Sequence, residues 1–241
     1  MSGSTSNNLM ANHPSSGVVI DDPSAYVDGL TLTQWTEQWF RWAVPTPGGP
    51  IDASPNVPID AFNDPTGSVA KALNQGFSPM YFITDQAMAS NRTFDVPFGK
   101  SVLVPIGGVA DSEGPNLTPG DAPAGPPTGT YADEVKAVLA TATFNYGTAR
   151  LDGGPTVTLP VINSGIFDAG VAWPGSAGAD FFGEKYPVPT LLQTTGDEGY
   201  WVMLQGLSPG QHSLTISWDI SFNGQARMES LTDTINVVLP T

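Results

Sequence analysis

The C-terminal part of the chain contains the pattern that most constrains its fold. In segment 211–222, apolar residues occupy every second position from Leu214 to Ile220, as in a β-strand with one buried face. Asn223-Gly224 then supplies two residues that tolerate the positive φ angles of a tight hairpin turn, and segment 225–239 returns as the next strand. This long hairpin predicts a fold built mainly from β-strands.

Turn residues divide the rest of the chain in the same way. The 241 residues include 27 Gly and 23 Pro, and these interrupt short hydrophobic runs instead of forming a low-complexity tract. Such spacing favours a β-sandwich, of the jelly-roll or Ig-like kind. Further strands are predicted at 18–20, 80–84, 93–96, 101–106, 141–151, 155–162 and 200–204.

Segment 31–44 is the clearest exception and predicts a helix. Thr31 and Gln34 match the capping box, in which each side chain bonds the other residue's backbone N–H. Trp35, Trp39 and Trp42 recur at steps of three and four residues and therefore share one face. This stripe could stack sugars, but burial against a sheet is the favoured interpretation. Shorter helices are predicted at 68–74 and 132–139.

The predicted domain organisation is simple. Residues 1–20 begin with a polar tail and end in Val18-Val19-Ile20, a possible docking strand. Residues 21–241 are expected to form a single sandwich domain with helical insertions, since the length suits one large all-β domain.

Charge limits the partners. The chain has 8 Lys+Arg against 23 Asp+Glu, a net charge of −15, so nucleic acid is not an expected partner. No stretch reaches the roughly 18 apolar residues of a membrane span. The N-terminus has no Sec-type signal, so we expect an extracellular or cell-surface protein exported by another route, with a cytoplasmic location left open.

Residue types exclude several kinds of active site. There is no Cys and there are two His, which removes disulfides, thiolate zinc sites and cysteine nucleophiles. Segment 174–178 approaches the G-x-S-x-G elbow of serine hydrolases but has Pro where the first Gly belongs. No motif therefore names an enzymatic activity.

Carboxylates remain as candidates for binding or acid–base chemistry. Asp111 and Glu113 open a long loop predicted at 111–129, where functional groups are well presented. Asp197 and Glu198 form a second loop pair. Two such groups flanking one bond would suit a glycosidase, whereas solvated loop acids are the simpler interpretation.

Calcium is the one metal that the acidic segments favour, because it prefers oxygen ligands. Asp21, Asp22 and Asp28 form one cluster, and Asp111 with Glu113 another. Neither matches the EF-hand loop. A calcium site is therefore an expectation, beside the alternative that no cofactor is present.

Several motifs occur together in a recognisable order. They are W-x-x-x-W in the helix (Trp35 to Trp39), V-P-x-G-K at 96–100, and G-Y-W followed by L-x-P-G-x-H across 199–212. In this order the chain resembles an uncharacterised family of bacterial β-rich proteins that are often exported, over roughly residues 30–235. The resemblance implies Lys100, Asp152, Trp201 and His212 as site residues.

Three functions follow as hypotheses. The first is a structural protein that self-associates into an oligomer or polymer through its tail or a sheet edge. The second is a module that binds glycan or calcium through aromatic residues and carboxylates, with Asp111, Glu113, Asp152, Trp201 and His212 as binding candidates. The third is a polysaccharide hydrolase or lyase, which requires carboxyl groups converging in one cleft.

Overall fold

A computed structural model describes residues 17–50, 58–74, 78–84, 91–113, 129–182 and 188–240. Within these ranges strands far outnumber helices, which confirms the prediction of a mainly β protein. The helices are α1 (Leu32–Ala43), α2 (Ser68–Leu73), α3 (Tyr131–Leu139) and α4 (Ala177–Phe181). The strands are β1 (Val18–Ile20), β2 (Tyr26–Val27), β3 (Leu30–Thr31), β4 (Met80–Phe82), β5 (Thr93–Pro97), β6 (Ser101–Glu113), β7 (Ala142–Leu151), β8 (Val157–Thr158), β9 (Val161–Phe167), β10 (Val171–Ala172), β11 (Thr190–Leu191), β12 (Thr194–Gln205), β13 (Gly210–Phe222) and β14 (Gln225–Val238).

Two five-stranded sheets contain most of these strands. In the central sheet, β12 pairs with β6 on one edge and with β9 and β1 on the other, while β4 joins the far edge of β6. In the outer sheet the order is β5-β14-β13-β7-β8. The β4–β6 and β5–β14 pairs are parallel and the others are antiparallel. The short pairs β2–β3 and β10–β11 lie outside both sheets.

The central sheet is buried on both faces. One hydrophobic core, which includes Phe94, Val104 and Ile216, joins it to the outer sheet. A second core, which includes Trp39, Leu103 and Met203, joins its opposite face to α1 and the neighbouring loops. The molecule therefore has three layers, and this explains why β6 and β12 begin or end in continuous apolar runs instead of alternating ones.

Helix α1 forms as the sequence predicts. Both hydrogen bonds of the Thr31–Gln34 capping box are present. Trp35 and Trp39 are buried, and their indole N–H groups donate to the carbonyls of Val27 and Ile83, each at 2.7 Å. These bonds satisfy the polar end of each ring and fix the helix to its surroundings. The structure therefore confirms burial for Trp35 and Trp39, while Trp42 is partly buried against the same core.

Glycine permits close contact between β6 and β12. A Cβ atom on Gly108 would lie 2.7 Å from the Glu198 carbonyl oxygen and 2.9 Å from Gly199 Cα. The register of the two strands also shifts between Tyr200 and Trp201, which pair with Gly107 and Pro105. This irregularity re-aims the side chains on either side of it, as bulges commonly do.

Three strand predictions need correction. Strand β6 continues beyond Ile106 to Glu113, and β12 begins at Thr194, so Asp197 and Glu198 lie in a strand and not in a loop. Gly108 and Gly199 lie inside these two strands and let their backbones approach closely. The segment predicted as one strand at 155–162 divides between β8 in the outer sheet and β9 in the central sheet.

Residues 1–16 lie outside the described residues, as does segment 114–128 of the predicted long loop. Val18–Ile20, the predicted docking strand, pairs antiparallel with Met203–Gln205 of the same chain. None of the helices in the described ranges is both long and apolar enough to cross a membrane.

Candidate functional site

A cavity of about 320 Å³ lies beside the central sheet, along a part of the β6 edge that pairs with no strand of the described ranges. Among the described residues, β4 occupies this edge only at Ser101–Leu103. Segment 105–110 of β6 therefore forms one wall, and the others come from α1, segment 58–63, α4, β12 and β14. Its lining includes aromatic, acidic and basic side chains, namely Trp39, Phe40, Asp60, Phe62, Asp180, Phe181, Asp197, Tyr200, Trp201 and Arg227.

Asp60 is the most buried carboxylate of the cavity, with 3% of its surface exposed. Its Oδ1 accepts a hydrogen bond from the Phe62 N–H at 2.8 Å, and the backbones of Asp60 and Asn63 bond each other in a narrow loop. Burial raises the pKa of Asp60 to about 6; the amides of Phe62 and Asn63 oppose this effect, and the charge of Asp180 adds to it. The carboxyl group thus exchanges its proton close to neutral pH.

Asp180 reaches the cavity because α4 is fixed against the end of α1. The α4 amides of Ala177 and Gly178 donate to the carbonyls of Thr46 and Val44 at 2.7 and 3.2 Å. A Cβ atom at Gly178 would lie 2.9 Å from a Val44 side-chain carbon, so the glycine is required for this contact.

Stacked rings lie beside the two carboxylates. Phe181, next to Asp180, stacks on Phe62 with ring centroids 4.1 Å apart and planes inclined by 17°. Phe181 remains 41% exposed, so this pair presents an aromatic surface at the cavity.

The interior of the cavity is also aromatic. The rings of Trp39 and Trp201 meet edge to face at 5.5 Å, and Phe40 packs against Trp201 at 6.3 Å. Asp197 Oδ2 accepts a hydrogen bond from the Trp201 indole N–H at 3.1 Å. Ser164 holds the Asp197 backbone from β9 through two hydrogen bonds of 3.0 and 3.1 Å. The cavity therefore combines three carboxylates with aromatic walls.

Of the residues predicted from sequence, Asp197 and Trp201 line this cavity, whereas Asp152 and His212 form a separate pair. His212 Nδ1 lies 2.7 Å from Asp152 Oδ2, and Nε2 lies 2.8 Å from the Ser208 carbonyl oxygen. Burial works to lower the pKa of His212, but the hydrogen bonds to Asp152 and Ser208 raise it above the usual value.

This arrangement resembles a Ser-His-Asp triad, but its hydrogen bonds serve a different purpose. Ser208 Oγ lies 3.5 Å from His212 Nε2, at the limit of a hydrogen bond, while the Ser208 carbonyl is much closer. A protonated imidazole satisfies both acceptors, and its Nε2 cannot then accept a proton from a hydroxyl. His212 therefore joins the 151–154 hairpin to the 207–210 turn.

Asp111 and Glu113 lie at the end of β6, outside the cavity lining. Burial raises the pKa of Asp111, the Ser112 amide lowers it, and Glu134 on α3 raises it. Asp111 Oδ2 is buried without a hydrogen-bond partner in the structure. Lys100 borders a different cavity of about 400 Å³, and burial lowers its pKa.

The predicted calcium ligands form local hydrogen bonds. Asp22 Oδ1 accepts from the backbone and hydroxyl of Ser24 at 2.8 and 2.7 Å, and Asp28 Oδ2 accepts from Ser101 Oγ at 2.7 Å. Asp21 is exposed. Within the described ranges, no three Asp, Glu or His side chains gather as metal ligands would; calcium binding stays a prediction.

Sequence reasoning missed Asp60, Asp180 and Phe181. All three lie in segments that contain Gly and Pro and show no hydrophobic periodicity. The sequence therefore does not indicate which way their side chains face or what they pack against. The one available signal was the placement of an acid beside an aromatic residue, Asp60 close to Phe62 and Asp180 next to Phe181. Such pairs are frequent, and only the fold brings these two together.

Comparison of the chain with models of protein families, with curated proteins and with solved structures gave no match. The resemblance to an often-exported bacterial family, and the extracellular location expected with it, therefore stay predictions.

Proposed function

We propose that this protein binds carbohydrate in the cavity beside β6. The observation that supports the proposal is the position of Phe181, an exposed ring stacked on the buried Phe62, next to Asp60 and Asp180. Sugar rings stack on aromatic faces through their C–H groups, while carboxylates accept hydrogen bonds from their hydroxyls. A volume of about 320 Å³ falls within the range of small-ligand sites.

Binding should be tested by glycan-array screening of the full chain, followed by titration calorimetry with the oligosaccharides found. Phe181→Ala removes the exposed ring and should weaken binding by about two- to tenfold, since a stacking contact contributes roughly 0.5–1.5 kcal/mol. Tyr26→Ala is the matched control, because Tyr26 is 76% exposed and does not line the cavity. Absence of any glycan ligand, or equal affinities for Phe181→Ala and the wild type, would contradict the proposal.

Hydrolysis of the bound glycoside is a second candidate, favoured by the raised pKa of Asp60. The Asp60 carboxyl would donate its proton to the glycosidic oxygen as the C–O bond breaks. Water would add to the anomeric carbon and give its proton to Asp180 or Asp197. Release of reducing ends, abolished in Asp60→Asn, would support this activity; unchanged release in that variant would exclude Asp60 as the acid.

Self-assembly remains a further proposal and concerns a different surface. The pairing of Val18–Ile20 with β12 would allow the same strand to exchange between two copies of the chain. Light scattering of the full chain at increasing concentration tests this. A monomer at every concentration would contradict it.

A further inference from the structure

Two carboxylates enter the cavity without a cationic partner among the described residues. Neither Asp60 nor Asp180 forms an ion pair with any Lys, Arg or His of the described ranges. Asp197 adds a third carboxylate to the same lining. The cavity therefore concentrates negative charge where surrounding aromatic rings reduce the screening by water.

Arg227 is the one cationic residue among the described residues of the lining. It lies at the rim on β14, half exposed, where its Nε donates to Glu229 Oε1 at 3.1 Å. Its guanidinium carbon also lies 5.9 Å from the centre of the Trp218 ring. These contacts direct its charge toward neighbours other than Asp60 and Asp180.

An ammonium group fits the remaining space better than a neutral group does. Asp60 is a buried carboxylate, which is costly unless it is paired. A ligand cation would pair with it and with the exposed carboxylate of Asp180 at once. The exposed face of Phe181 also attracts a cation through its ring quadrupole. A neutral hydroxyl group could donate a hydrogen bond to a carboxylate, but it has no positive charge to pair with the carboxylates or to be attracted by an aromatic ring.

We propose that the ligand is an amine-bearing carbohydrate, an oligosaccharide of glucosamine units, whose ammonium group lies between Asp60 and Asp180. This inference rests on the proposed carbohydrate binding and specifies the class of sugar. The aromatic stack would hold the ring, and the two carboxylates would distinguish the free amine from its N-acetylated form.

Acid should weaken this preference. The groups that face Asp60 are the amides of Phe62 and Asn63 and the carboxylate of Asp180, with Asp197 and Arg227 across the cavity. Protonation of Asp60 on passing below about pH 6 removes one of the two charges that pair with the ammonium group.

The test compares glucosamine tetramer with N-acetylglucosamine tetramer by titration calorimetry at pH 7 and pH 5. We expect the amine form to bind at least about tenfold more tightly at pH 7, with a smaller ratio at pH 5. Asp60→Asn and Asp180→Asn should each reduce the ratio at pH 7. Asp21→Asn, which removes the same charge from an exposed site, should leave it unchanged.

The outcomes separate the two proposals. Equal or tighter binding of the N-acetylated tetramer overturns the charge preference and leaves carbohydrate binding in place. If neither tetramer binds, the charge preference is overturned. If no sugar on the array binds either, carbohydrate binding is overturned as well. The net charge of −15 could attract any cation, so tetralysine serves as a control. If it binds as tightly as the amine tetramer and Asp60→Asn changes neither affinity, the attraction is non-specific and the charge preference is also overturned.

Discussion

The imidazole of His212 and the carboxylate of Asp152 meet at 2.7 Å and join two turns at one end of the outer sheet. Asp152 has a left-handed backbone, φ 51°, and its other oxygen accepts from the Ser213 N–H at 2.8 Å. One side chain therefore determines both the end of the hairpin and the charge state of a buried histidine.

This pair should make stability depend on pH. The pKa of His212 is raised in the folded protein, so its stabilisation is complete below the unfolded value of about 6.5 and is lost as pH rises through the folded pKa. Asp152→Asn tolerates the same backbone but removes the charge. We expect it to lower the free energy of unfolding by about 1–3 kcal/mol at pH 6 and by less at pH 9, in urea titrations. An equal loss at both pH values would show that the charge is not involved.

Asp60 should have the opposite effect on stability. The Asp60 carboxyl loses its proton near pH 3.8 in the unfolded chain but keeps it until about pH 6 in the folded protein. The folded state therefore loses stability as the pH rises from about 3.8 to 6 and stays less stable above that. Asp60→Asn should therefore raise the free energy of unfolding by about 1–3 kcal/mol at pH 8 and change it little at pH 4. Urea titrations of both proteins check this, with the exposed Asp21→Asn as control. A destabilised Asp60→Asn at pH 8 would contradict the prediction.

Arg92 and Asp233 form an ion pair whose side chains are 1% and 0% exposed, with Nη2 and Oδ2 2.8 Å apart. Arg92→Met leaves a buried carboxylate without its cation and should cost about 3–5 kcal/mol. The double variant Arg92→Met/Asp233→Leu should regain much of this loss. A double-mutant cycle from urea unfolding measures the coupling between the two residues. If the loss in the double variant equals the sum of the losses in the two single variants, the predicted coupling is absent.

Gly108→Ala should separate β6 from β12 at the cavity wall, because its Cβ would meet backbone atoms of Glu198 and Gly199. We expect a loss of about 1–3 kcal/mol together with weaker glycan binding. Val109→Ala, at a partly exposed neighbouring position, should cost less than about 1 kcal/mol. Thermal unfolding and calorimetry measure the two effects. Wild-type stability of Gly108→Ala would show that the strands can move apart freely.

The elements predicted well from the sequence are those specified by neighbouring residues. The capping box of α1 and the alternating pattern of β13 depend on positions within a few residues of each other, and a local pattern records them. The cavity is different. Asp60 and Asp180 are far apart in the chain. Asp60 belongs to a loop and Asp180 to the short helix α4, and the position of each depends on what its segment packs against. The strand predictions end at Ile106 and begin at Tyr200, beside Gly107 and Gly199. Glycine marks a turn and a close backbone contact equally well, so a local pattern does not extend across it.

The cavity walls come from six separated stretches of the chain, from Trp39 near its beginning to Arg227 near its end. No partly folded form that lacks α1, α4 or β14 can contain the complete cavity. A ligand held there binds only the fully folded chain, so its free energy of binding adds to that of global folding. The midpoint of thermal unfolding would therefore report the concentration of ligand, and a screen for the natural ligand needs no assumption about what the protein does with it.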